Sequence, residues 1–333
     1  MKLKQVLLRG ALATALLALS SCTHPSADFT LTLGGDIMLA RQSEPLFENQ
    51  GKVYDPWSDL QKQGVLIGDD SPVPDYFLAN LESPLGNTPP EVSDMNLCSD
   101  PAQVKVLTAG GVDLVSLANN HRDDCSPDGT VTTKSILDEQ KINSAVMGTA
   151  PAYLDAPGGR VVIIAAEDVT GSLDLPALLA QISTARQQAQ VVVVAIHWGN
   201  EYQAGADERQ QSLAQQLADA GADVIWGHHP HVLQKMEWLS SADGRQVLVL
   251  YSLGNLLADQ WMLESTLQSA LVRLSFSGSK ISEIEIMPLK MDRATKMVQL
   301  SADTLFRESV FKLLGGENLS TDKVRVRLLP DTK

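Results

Sequence analysis

Three histidines fall within four positions in the stretch Ile225-Trp226-Gly227-His228-His229-Pro230-His231-Val232. Imidazole is the commonest side-chain metal ligand and titrates near neutral pH, so such a cluster can hold a cation or move a proton. His121 and His197 also stand just after apolar runs, whereas His24 lies in a short polar stretch and reads as solvated. Carboxylates take similar positions. Asp36 follows Phe29–Leu33 and the pair Gly34-Gly35, and Glu82 follows Tyr76–Ala79. Asn120 directly precedes His121. Carboxylates, an amide oxygen and imidazoles together make a usual ligand set for Mn, Fe, Zn or Co. Two such ions about 3.5–4 Å apart can clamp the attacking and leaving oxygens of a displacement. A histidine outside the ligand set could protonate the leaving group. The rival chemistries lack their signatures: there is no GxSxG, no GxxxxGK[ST] and no HExxH. Cys98 and Cys125 lack the flanking features of a nucleophile, and Gly34-Gly35 lacks the other glycines of a dinucleotide fingerprint.

These residues need a scaffold that delivers strand ends to one place. Residues 29–33 (FTLTL) alternate with period two and predict a half-buried strand ending at the glycines. Short strands are expected at 76–79, 112–118, 161–166, 222–225 and 246–250, and Val191–Ile196 reads as a strand buried on both faces. Helices are expected over 101–109, 130–140, 175–190 and 208–220, the last stopped by Gly221. Residues 271–276 and 281–289 predict a hairpin around Ser277-Gly278-Ser279. Residues 42–76 and 84–100 look loop-rich, and 291–333 look peripheral. The alternation of strands and helices over 101–226 argues for an α/β core with parallel pairing, and in such sheets ligand sites gather at the carboxyl ends of strands.

The chain has 333 residues and a net charge of −14, with no basic run. That disfavours nonspecific nucleic-acid binding, which needs clustered Lys and Arg. Lys2, Lys4 and Arg9, the apolar run Gly10–Leu19 and the small residues before Cys22 predict a processing signal over residues 1–22. The run is too short to span a bilayer as a helix. Its end, Leu19-Ser20-Ser21-Cys22, resembles a bacterial lipobox, which implies cleavage, lipid attachment at Cys22 and a place in the cell envelope, on the periplasmic or extracellular side. Residues 23–28 would then be a tether. The two remaining cysteines, Cys98 and Cys125, are expected to form one disulfide in an oxidising compartment, closing a loop worth about 3 kcal/mol.

The runs GGDIMLAR, NLESP, LANNHRDD, HWGNEY, GHHPHV and YSLGN, in that order over about residues 29–260, resemble the bacterial capsule-synthesis CapA family of poly-γ-glutamate biosynthesis. That family looks like a branch of the calcineurin-like metallophosphoesterases. The resemblance implies a four-layer α/β/β/α sandwich of the metallo-dependent phosphatase type over residues 29–290, with 291–333 as an extension packed on the same domain. It further implies Asp36, Glu82, Asn120, His197, His229 and His231 as ligands of one or two divalent ions (Mn, Fe or Zn), with Glu82 bridging and His121 as general acid. His228 would line the site. Arg41 could bind an anionic group of the substrate, and Glu201 could ligate or orient His197. Asn119 reads as structural, and Trp198 and Trp226 as packing. The expected partners are a phosphoester or an anionic capsule polymer, and a membrane through the lipid. One departure stands out: the phosphoesterase pattern Asp-x-His is here Asp36-Ile37-Met38, so the first metal lacks an imidazole. The resemblance thus leaves two readings, a hydrolase and a non-enzymatic protein that helps anchor, export or assemble the polymer.

Overall fold

The computed structural model describes residues 27–41, 55–66, 73–87, 95–315 and 326–328. The signal segment, Cys22 and His24 lie outside them. Among the described residues no helix is long and apolar enough to cross a membrane.

In chain order the elements are β1 (Phe29–Ile37), α1 (Ser58–Lys62), β2 (Asp75–Leu81), α2 (Val104–Gly110), β3 (Leu114–Ser116), α3 (Gly129–Glu139), β4 (Asn143–Ala145), β5 (Ala152–Ala156), β6 (Gly159–Glu167), α4 (Leu175–Arg186), β7 (Val191–His197), α5 (Glu208–Ala220), β8 (Val224–His228), β9 (Met236–Ser240), β10 (Gln246–Leu250), β11 (Asn255–Leu257), β12 (Gln268–Ser277), β13 (Lys280–Met291), β14 (Val298–Leu300), α6 (Thr304–Gly315) and β15 (Val326–Leu328). They build two sheets. The first runs β14-β13-β12-β1-β2-β3-β4, with β11 beside β1 and β15 beside β13. The second runs β5-β6-β7-β8-β10-β9. The central strands β1-β2-β3-β4 and β6-β7-β8-β10 pair in parallel, while β12–β15, β5 and β9 join antiparallel.

Burial sorts these elements into four layers. Between the sheets lie Leu31, Leu33 and Leu78 from the first, packed with Ile163, Val193, Trp226 and Leu248 from the second. The outer face of the first sheet is covered by Leu60, Leu107 and Leu137, on α1, α2 and α3. The outer face of the second is covered by Leu178, Ile182, Leu213 and Leu217, on α4 and α5. The result is the α/β/β/α sandwich. β7 needs both faces buried, and its sequence VVVVAIH supplies that: all seven residues are buried. Each fully buried Val or Ile contributes roughly 1.5–3 kcal/mol. α5 starts at a capping box, in which Asp207 accepts from the Gln210 backbone and the Gln210 side chain answers, and it stops at Gly221 with φ 129°.

Three expectations are corrected. β1 does not end at Leu33 but continues through Gly34 and Gly35 to Ile37. The glycines let it pass against the Leu253-Gly254 turn: a Cβ on Gly35 would lie 1.8 Å from the Gly254 carbonyl oxygen. The loop-rich stretch 42–76 contains α1. Residues after 291 are less peripheral than their composition implies, since α6 places Phe306, Val310, Phe311 and Leu314 in the inter-sheet core. Their spacing of four, five and eight along α6 forms one apolar stripe.

Candidate metal centre

The carboxyl ends of β1, β2, β7 and β8 meet at the mouth between the sheets. β1 delivers Asp36, and the turn after β2 delivers Glu82. The loop after β3 brings Asn119, Asn120 and His121. β7 ends on His197 and β8 on His228, and His229 and His231 follow with φ of 95° and 58°. Such left-handed backbone is uncommon outside glycine and clusters at functional sites. Asp36, Glu82, His197, His228, His229 and His231 are all buried.

Four donor atoms converge at one point. His197 Nε2 lies 2.8 Å from Asn120 Oδ1, 3.1 Å from His229 Nδ1 and 3.4 Å from Glu82 Oε1. One ring nitrogen carries at most one proton, so it cannot satisfy the oxygens of Asn120 and Glu82 together. Ligands held about 2.0–2.2 Å from a common ion would stand roughly 3–3.5 Å apart, which is this spacing. On the other side of Glu82, His231 Nδ1 lies 3.3 Å from Asp36 Oδ2 and 3.8 Å from Glu82 Oε2. Glu82 thus turns one oxygen to each group, and neither oxygen has a hydrogen-bond partner among the described residues. A buried carboxylate without a donor is strongly unfavourable unless a cation compensates it. The donor set therefore fits divalent metal, and Glu82 belongs to both groups of candidate ligand atoms, one with His229 and His231 and one with Asp36 and His197, while Asn120 Oδ1 stands beside His197.

Electrostatics agree. Burial alone would raise the Asp36 carboxyl, but His228 and His231 beside it hold it well below the usual carboxylate range. Burial likewise works against the ionised Glu82, and the charges of His231 and His197 outweigh it, leaving that carboxyl low as well. His231 is opposed by burial, yet Glu82 and Asp36 raise it to about 9. Burial, and then His197, push His229 down to about 3. Burial also lowers His228.

The remaining sequence-predicted residues fall around this core. His121 gives its Nδ1 side to Asp124 Oδ2 at 2.8 Å, and Asp124 Oδ2 also accepts from Leu97 N at 2.7 Å. Cys98 and Cys125 form a disulfide with Cα atoms 4.7 Å apart, so the bond ties the strand of chain at Leu97 to the loop holding His121 and Asp124. Asn119 donates to Leu81 O at 2.9 Å and accepts from His121 N, joining that loop to the end of β2. Arg41 is paired with the buried Asp259. Glu201 stands beside His231. Its Oε1 lies 4.0 Å from His231 Nε2, at the exposed rim. Trp198 and Trp226 pack in walls, their indole nitrogens donating to Tyr251 O and Gly34 O.

Two site residues escaped the sequence reading. Asn80 donates to Asp36 Oδ1 at 2.8 Å and lies 3.5 Å from His197 Nδ1. Its place two residues before Glu82, at the end of β2, is the signal that points to it. Asn255 Oδ1 lies 3.1 Å from His231 Nδ1, while its amide donates to Gln260 Oε1 and Thr266 O. It closes the YSLGN run after β10, which is the only signal it gives. Glu167 is a third buried acid nearby. It accepts from Thr170 N and from Arg122, whose guanidinium also reaches Asn119 O, so it braces the loop of Asn120 from the second sheet.

Comparison with known proteins places this geometry in a family. The profile described as bacterial capsule synthesis protein PGA_cap matches residues 30–260. The capsule biosynthesis protein CapA of Bacillus anthracis is 30% identical over 82% of this chain and 70% of its own length. The PGA biosynthesis protein CapA of Bacillus subtilis (strain 168) is 29% identical over 82% of this chain and 76% of its own. Among solved structures, a hypothetical protein from Thermus thermophilus is similar at 16% identity and TM-score 0.48, covering 78% of this chain and 99% of that one. A 5'-nucleotidase from Candida albicans is similar at 11% identity and TM-score 0.44, covering 82% and 56%. With its six motifs lying inside the matched span and its strand ends carrying them to one mouth, the chain belongs to the bacterial capsule synthesis PGA_cap family, that of the CapA proteins.

Proposed function

We propose that this chain is an exported, lipid-anchored capsule-synthesis protein whose site holds two divalent ions and hydrolyses a phosphoester or a γ-glutamyl amide of an anionic polymer. The observation that carries the hydrolytic part is Glu82, whose two oxygens are buried without hydrogen bonds among the described residues and face two sets of donors. Asn120, His197 and His229 would hold one ion with Glu82, and Asp36 and His231 the other. Imidazole and carboxylate donors suit Mn, Fe or Zn. When bound, such ions polarise the scissile group and make water a competent nucleophile near neutral pH. The chain's own part is to position and to transfer protons. Asn80 and the backbone N–H of His229 fix the Asp36 carboxylate. Asp124 fixes His121 through Nδ1, which leaves Nε2 to protonate the leaving group. The names of the two CapA relatives support a capsule polymer as substrate, and the signal and lipobox sequence support export and anchoring at Cys22.

A second reading is favoured by Met38. It is buried with Ala40, Leu97 and Ala258 in a small apolar cluster, not among the donors, and thioether is a poor ligand for hard ions. On that reading the protein assists polymer assembly or export without turnover. Assays of a generic phosphodiester and of poly-γ-glutamate with metal-stripped and reloaded protein separate the two. Turnover that is lost in His229→Ala and His121→Ala supports hydrolysis. Reloaded protein that holds no metal at any concentration excludes it.

A further inference from the structure

The half of the site built on Asp36 lacks the imidazole that Met38 cannot supply. Yet a fully buried imidazole stands beside it, in ionic contact with Asp36 but without a hydrogen bond to either ring nitrogen among the described residues. β8 alternates in the usual way, so Trp226 and His228 face the space between the sheets while Gly227 faces Trp198 and Tyr251 behind. Trp226 reaches across to Gly34 O on β1. One step along β8, His228 meets Asp36, its Nδ1 3.2 Å from Asp36 Oδ1, a contact that is not aligned as a hydrogen bond. Neither ring nitrogen of His228 has a hydrogen-bond partner among the described residues, although its ring is only 1% exposed. Trp226 holds the ring edge-on at 4.4 Å. A buried imidazole in that state is unfavourable as packing alone.

We propose that His228 is the missing ligand of the ion at Asp36, supplied from β8 in place of the residue at position 38. This rests on the metal-holding site proposed above. His228 and His231 flank opposite oxygens of Asp36, Nδ1 to Oδ1 and Nδ1 to Oδ2, so the two imidazoles enclose the carboxylate. With Glu82 Oε2 the half-site then offers two imidazole nitrogens and two carboxylates. The rival donor, Glu201, is at the exposed rim, and its carboxylate comes no nearer than 4.0 Å to His231. The triple histidine run is thereby fully used: His229 serves one ion, and His228 and His231 serve the other.

The test compares full-length wild type, His228→Ala, His228→Gln and His229→Ala after chelation and titration with Co(II), reading stoichiometry by elemental analysis and ligand field by visible absorption. Wild type should hold two ions. His228→Ala and His228→Gln should weaken one of them by about 100-fold or more, beyond the range for outer-shell partners, and change its Co(II) bands. Added imidazole should restore that ion in His228→Ala, which a packing role would not produce. His228→Gln keeps a polar side chain of similar length should the alanine variant fail to fold. Wild type binding no Co(II) at any loading overturns the metal site and this assignment with it. Wild type holding metal, with unchanged affinity and spectrum in both His228 variants, overturns the assignment of His228 alone.

Discussion

Glu82 Oε1 lies 3.4 Å from His197 Nε2, and the same carboxylate turns its other oxygen toward His231. A residue shared in this way makes a distinct prediction. Glu82→Ala should abolish tight binding of both ions, whereas His197→Ala should abolish one. Each affected affinity should fall by more than about 100-fold, the upper range for merely supporting partners. Elemental analysis after gel filtration in stoichiometric Zn or Mn measures this. Equal losses in the two variants would show that Glu82 does not bridge.

Metal uptake should release a proton. In the metal-free protein His231 stays protonated to about 9, while His229, at about 3, is neutral at pH 7. An ion that binds His231 must displace its proton, so affinity should rise about tenfold per pH unit up to about pH 9 and then level off. The sign for stability is the opposite. A raised histidine stabilises the metal-free fold below its unfolded value near 6.5, and that contribution is lost as pH rises through about 9. Calorimetric titration at pH 7 in two buffers of different ionisation heat counts the proton. A count of zero would remove His231 from the ligand set.

The Cys98–Cys125 bond should act on stability and on the loop of His121 together. Its 27-residue separation implies about 3 kcal/mol on the chain-entropy model. The double variant Cys98→Ser/Cys125→Ser should therefore lose roughly that much in urea unfolding. The His121 ring resonances should broaden as well, because Asp124, which holds His121 Nδ1, is itself held by Leu97 beside Cys98. Unchanged unfolding midpoints would mean that the loop is already ordered without the bond.

Gly35 should tolerate no side chain. A Cβ there would meet the Gly254 carbonyl oxygen at 1.8 Å, backbone against backbone, so Gly35→Ala must push β1 from β11. The expected loss is about 3 kcal/mol, the upper part of the overpacking range. Metal affinity should fall with it, because Asp36 is the next residue. Thermal unfolding of the chelated and the loaded protein would show both effects.

Much of the site was legible because its chemistry sits at strand ends, where apolar runs announce the strand and polar residues then stand out. Asp36, Glu82, Asn120, His197, His229 and His231 are visible in that way. Asn80 and Asn255 were not, since a neutral amide near a strand terminus is common and its type alone does not say which carboxylate or imidazole it will meet. The span of β1 was misjudged because glycine carries no side chain to mark a strand, and the strand persists only through its fit to the Gly254 turn. α6 was hidden by Arg307, Glu308 and Lys312 interleaved with its apolar stripe, although the stripe has helical spacing. That the His228 nitrogens meet Asp36 without a hydrogen bond cannot be read from sequence, since it depends on how β1 and β8 face each other across the sheets.

β1 enters the fold at Phe29 and reaches the site at Asp36, seven residues on, or roughly 23 Å at strand rise. The described chain therefore begins at the end of the sandwich opposite the mouth, a full strand length from the donors that Asp36 joins.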